Sequence, residues 1–196
     1  YTYVVGGEME IGLNLFAKGP NWIVLDNVQL YYLGDSDESY EKLLEEIMLL
    51  EPDYEALFDD EEACAQASVR ATYTAAKNTV ESAQTSQARA QAVDDFMAAS
   101  KAMASSVAAY GAYKKVFDEA TDFVGSTTSE SDEVMLLGDY LGDDVKEEGA
   151  YNGNGGALYI LENALLNDEQ ITAELAYLNK LFLDAKANAK EDGDDC

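Results

Sequence analysis

A chain of 196 residues, 47% of them apolar, is long enough for one or two domains with real cores, which excludes a disordered acidic tail. Its 39 acidic residues outweigh 12 basic ones, a formal charge of −27. A field of that sign repels phosphate backbones, so neither nucleic acid nor an anionic membrane surface is an expected partner.

No histidine occurs, which removes the commonest general base, the commonest zinc ligand and every His-dependent triad. No stretch is apolar for long enough to span a bilayer, so membrane insertion is not expected. The chain opens on "YTYVV" and closes on "KEDGDDC", both in mid-pattern, and is expected to be a fragment of a longer protein.

Residues 1–34 alternate with period 2. Tyr3 and Val5 precede the Gly6-Gly7 turn signal, Met9, Ile11, Leu13 and Leu15 take every second position, and Pro20-Asn21 marks a second turn. Trp22, Val24, Val28, Leu30 and Tyr32 form a third run, with a bend expected at Asp26-Asn27. The pattern predicts a short antiparallel β-meander. Fewer than ~40 residues rarely hold a core alone. The meander either packs on the helices or is the remnant of a larger β-sandwich.

After Gly34 the period changes to 3.6. Asp35 and Glu38 fit a helix cap, and Tyr40, Leu43, Leu44, Ile47 and Leu50 mark its buried stripe. Pro52 punctuates, and Tyr54, Leu57 and Phe58 add a further apolar turn. A second helix is expected from about Asp60 to Gln84 on Val69, Tyr73, Ala76, Val80 and Ala83. Cys64 falls in its Ala-rich start and reads as a small core residue; Cys64 and Cys196 are too few and too far apart for a metal knuckle or disulfide scaffold.

The clearest helix runs from about Ser86 to Val124, ~58 Å at 1.5 Å per residue. Its stripe is Ala92, Phe96, Ala99, Met103, Ser106, Tyr110, Tyr113, Phe117, Ala120 and Val124, with Gly111 the expected place for a kink or break and Gly125 its end. Val134, Leu137 and Leu141 predict a short helix, then comes the polar loop "GDDVKEEGAYNGNGG". Leu158, Leu161 and Leu165 predict another, and Asp168 is the expected cap of a last helix on Ile171, Leu175, Leu178, Phe182, Ala185 and Ala189. The expected fold is mainly α, with elongated helical bundle units and the N-terminal meander: strands over 1–34, a three-helix bundle over 35–125, and a second helical unit over 126–196.

Candidate chemistry is sparse. So many acids make carboxylate pairs inevitable, and none stands out as the paired machinery of a glycosidase. "NGNGGALYIL" places glycines before a helix, yet lacks the preceding strand and the lysine of a phosphate cradle, and reads as a connection. "DGDD" at Asp192 to Asp195 lacks the remaining ligands of a calcium loop. Asp26, inside an apolar β-run, reads as a turn former, a buried hydrogen-bonded group or one ligand of a structural calcium, the one metal candidate here. Tyr31, on the face opposite Leu30 and Tyr32, is the candidate for stacking on a sugar. No catalytic residue and no cofactor are expected.

The segment "NWIVLDNVQLYYLG" resembles the terminal strand of carbohydrate-binding-module-like (galactose-binding-like) jelly rolls in large multi-modular surface proteins of Bacteroidetes. The helical remainder resembles the FIVAR-like spacer segments of such proteins. The resemblance implies an extracellular, cell-surface location and a non-catalytic role as spacer or scaffold. Neighbouring domains of the same polypeptide are the implied partners. The alternative is an adhesin-like module that binds a glycan or a surface protein.

Overall fold

The computed structural model describes residues 36–59, 64–142 and 153–189. The expected strands, with Asp26 and Tyr31, and the "DGDD" segment lie outside them. Among the described residues the chain forms seven α-helices and no strand, so it is mainly helical. The described residues divide into two compact units, one of residues 36–52 with 76–97 and the other of those in 53–75 with those in 98–189. They interleave along the chain, because the third and fourth helices each supply residues to both.

In the first unit, helix α1 (Asp37–Leu50) starts at Ser36, whose hydroxyl accepts from the Ser39 N–H; Asp37 and Glu38 put negative charge on the positive end of the helix dipole. The cap is therefore Ser36 and not Asp35. Tyr40, Leu43 and Ile47 are buried as expected, Leu44 is half-buried, and Leu50 is exposed, since the chain leaves the helix at Glu51. Val80 from the end of α3 (Ala67–Ser82) and Ala92, Val93 and Phe96 from the start of α4 (Ser86–Ser126) complete the buried set. Each such Leu, Ile or Phe contributes about 1.5–3 kcal/mol by leaving water.

Arg89, 8% exposed, ties this unit together. Its guanidinium pairs with Asp37 at 2.8 Å, donates to the Ala83 carbonyl, and lies 4.4 Å from the centre of the Tyr40 ring. The Tyr40 hydroxyl in turn donates to the Val80 carbonyl at 2.6 Å.

The second unit contains α2 (Tyr54–Asp59), the start of α3, the remainder of α4, α5 (Asp132–Leu141), α6 (Ala157–Asn163) and α7 (Asp168–Asn188). Helix α5 packs along α7 and touches α6. Their shared core includes Tyr110, Tyr113, Leu137, Ile160, Leu178 and Phe182. On α4, eight of the ten stripe residues are buried, and Phe117 and Val124 are half-buried. The helix does not break at Gly111. The tyrosines on either side of it are pinned: Tyr110 donates to the Leu166 carbonyl, and the Tyr113 hydroxyl bonds that of Tyr140.

Helix α3 starts at Ala67, later than its apolar pattern suggests. Its first amides are satisfied from elsewhere in the unit, Gln66 N–H by the buried Ser106 hydroxyl and Ala67 N–H by the Ala164 carbonyl. Cys64 thus precedes the helix. It is half-buried, and its thiol donates to the Leu161 carbonyl.

Two further expectations shift by a residue. The fully buried positions of the sixth helix are Ala157 and Ile160, with Ala164 and Leu166 buried beyond it, whereas the expected Leu158 and Leu161 are half-buried, Leu161 against the core. Ala164 takes the left-handed conformation (φ 48°) and ends the helix, which leaves Leu165 outside it and exposed. The cap of α7 is Asn167 and not Asp168. Asn167 Oδ1 accepts from Gln170 N–H while Gln170 Oε1 accepts from Asn167 N–H, a reciprocal capping box.

Candidate functional site

The buried face of α7 reads Ile171, Glu174, Leu178, Leu181 and Ala185, a 3-4-3-4 spacing that places a carboxylate among apolar neighbours. Glu174 is 1% exposed. An ion so placed is costly unless its oxygens are satisfied, and both are. Tyr140 of α5 donates to Oε2 at 3.0 Å, and Asn154 Nδ2, from the turn before α6, donates to Oε1 at 2.7 Å.

The Tyr140 proton is committed to the carboxylate, so in the 2.7 Å contact between the two phenols Tyr113 is the donor. The result is a directed chain, Tyr113 to Tyr140 to Glu174, met from the other side by Asn154. It joins α4, α5, α7 and the Gly153–Gly156 turn. Gly153 and Gly155 adopt positive φ there, which lets the backbone turn Asn154 toward the core.

The environment acts on these phenols in one direction. Burial, followed by the neighbouring Tyr113 and Glu174, pushes the Tyr140 phenol far above the ordinary tyrosine value. Burial does the same to Tyr113, and the nearby Glu174 adds to it. Burial pushes Tyr110 up to about 12, against the lowering effect of its bond to the Leu166 backbone. All three are neutral hydrogen-bond donors over the ordinary pH range. The Cys64 thiol is also raised by burial, in spite of Arg70 nearby, which disfavours its thiolate.

No protein-family model, curated protein or solved structure matches this chain.

Chemically, the cluster can hold parts of the fold together and has little left to offer a substrate. Each carboxylate oxygen already accepts a bond, and Tyr113, Tyr140 and Glu174 are all sealed from solvent. Among the described residues no group of three or more His, Cys, Asp or Glu side chains is placed to hold a metal ion. A small open groove between α3 and α4 is lined by Ser68, Val69, Thr72, Ala99 and Ala102, side chains without a titratable group. No helix of the described residues is long and apolar enough to cross a membrane.

Sequence reasoning placed Tyr110 and Tyr113 on the α4 stripe but missed Tyr140, Asn154 and Glu174. The signal for Tyr140 was its position three residues after Leu137, on the face of Val134 and Leu141. For Glu174 it was an acid at the stripe position between Ile171 and Leu178. Asp26 and Tyr31 lie outside the described residues.

Proposed function

We propose that the chain is a non-catalytic structural module, a spacer or scaffold segment, of a secreted bacterial cell-surface protein. The observation that supports the structural part is the Tyr113–Tyr140–Glu174–Asn154 chain: its members spend their hydrogen bonds on one another across three helices and a turn. Groups that serve catalysis must present a free donor, acceptor or lone pair to a substrate. The surface location draws on the likeness of "NWIVLDNVQLYYLG" to a jelly-roll closing strand, and the acidic composition suits a solvated exterior. In this reading residues 1–34 are the closing strands of a neighbouring β-domain, and the main partners are domains of the same polypeptide.

Labelling of intact cells with a membrane-impermeant biotin reagent tests the location. Tagging of this segment on intact cells is the expected result; tagging only after lysis would remove the surface assignment. A glycan array probed with the purified chain tests the role. A spacer gives no saturable signal. Saturable glycan binding that is lost in Tyr31→Ala would replace the spacer with a carbohydrate-binding module.

A further inference from the structure

Two demands of the fold meet at one dipeptide. Position 155 requires glycine, because its φ is +88° and a Cβ there would lie 2.8 Å from the Tyr159 ring. Position 154 requires an N–H donor, because Asn154 Nδ2 supplies one of the two bonds that satisfy the buried Glu174 carboxylate. Together they spell Asn-Gly. In that pair the side-chain amide is most open to attack by the following backbone nitrogen, since glycine has no side chain to screen it, and asparagine is among the thermolabile residues.

We propose that Asn154 is a site of spontaneous deamidation whose rate is set by the Glu174 contact and whose product cannot remake that contact. In the first step the Gly155 backbone nitrogen loses its proton and bonds to Asn154 Cγ. The Cγ–Nδ2 bond breaks, ammonia leaves, and a succinimide ring remains. Water then adds to one of the ring carbonyls and opens it to aspartate or isoaspartate. Water is the sole co-reactant.

While Nδ2 is held on Glu174 the amide group is held away from this attack, so the reaction runs through molecules in which the contact is open. The product carboxylate has no proton to donate. It would face the buried Glu174 carboxylate from a half-buried position, where like charges repel and leave Glu174 Oε1 without its donor. The same bond thus protects Asn154 and is lost for good when protection fails, which makes the Gly153–Gly156 turn a one-way release from α7.

The test holds the intact chain in mildly alkaline buffer at physiological temperature and follows the amide-to-acid mass gain. Fragment spectra distinguish Asn154 from the other Asn-Gly pair, Asn152-Gly153, and a synthetic peptide of residues 151–157 gives the unprotected rate. Asn154 in the protein is expected to convert roughly ten- to a hundredfold more slowly than in the peptide, the range of a hydrogen bond to a charged group. Glu174→Ala is expected to close most of that gap. Equal rates in protein and peptide, a gap unchanged by Glu174→Ala, or no acid at Asn154 beyond that hundredfold limit would each overturn the proposal. A second comparison does not depend on Glu174→Ala folding. Asn154→Asp and Asn154→Ala both remove the donor, and Asp is expected to melt at a lower temperature than Ala; equal melting temperatures would overturn the carboxylate conflict.

Discussion

Glu174 occupies a place where its stripe neighbours Ile171 and Leu178 are fully buried, and it stays there because Tyr140 and Asn154 each satisfy one oxygen. Tyr140→Phe removes the donor to Oε2 and the acceptor of Tyr113 together, and is expected to cost about 2 kcal/mol in urea unfolding. Tyr113→Phe deletes one donor at the end of the chain and is expected to cost about 1 kcal/mol. The double variant should lose less than the sum, because the Tyr113 bond is already gone once Tyr140 is changed; strictly additive losses would show two independent contacts. Tyr110, Tyr113 and Tyr140 also set an alkaline limit. Their folded values are raised above the unfolded one, so their contribution is fully present below about pH 10 and is lost as pH rises through the folded values, beginning with Tyr110 at about 12. In an ultraviolet titration these three are expected to ionise only as helix signal is lost; ionisation of all 13 tyrosines in one step near pH 10 with the helices intact would contradict this. Periodicity exposed Tyr110 and Tyr113 because apolar-aromatic stripes are what it detects. Glu174 was hidden by the ordinary rule that acids face water. Arg89 was hidden for the same reason, as its burial depends on Asp37 and Tyr40, far from it in sequence.

At the scale of elements, the long helix was the most legible feature, since ten stripe positions without a proline leave one phase for the helix. Gly111 misled: glycine signals a break when nothing holds the turn, and here Tyr110 and Tyr113 hold it. Its Cβ position is empty within 4 Å. Gly111→Ala is therefore expected to stabilise the protein by about 0.5–1 kcal/mol, read as a higher urea midpoint with unchanged slope. A lower midpoint would mean that the helix uses the flexibility of that glycine. The caps were legible only in type. A helix start was evident near Asp168, yet which polar residue caps it depends on the reciprocal bonds between Asn167 and Gln170. Asn167→Ala should cost about 1 kcal/mol, and Asp168→Ala less. On α6, three leucines outweighed Ala157, Ile160 and Ala164 in the pattern, although small residues permit the close approach that buries them.

For the whole molecule, composition was informative about what the surface is and silent about how the core is wired. With 39 acids against 12 bases, several cations among the described residues are engaged locally, as in the exposed pairs Lys42–Glu38 and Lys180–Asp184, and the excess acids repel one another. Added sodium chloride screens that repulsion, so the melting temperature is expected to rise with ionic strength; a fall would show that attractive pairs dominate. The central claim is that the buried Tyr113–Tyr140–Glu174–Asn154 chain serves the fold and not a reaction. Native-state hydrogen exchange tests it most directly. The amides around Tyr140 and Glu174 are expected to exchange among the slowest and through one shared opening, with the turn at Asn154 tied to them. Exchange of residues 171–178 as fast as the ends of α7 would mean that Glu174 opens readily to solvent, and would contradict a structural role.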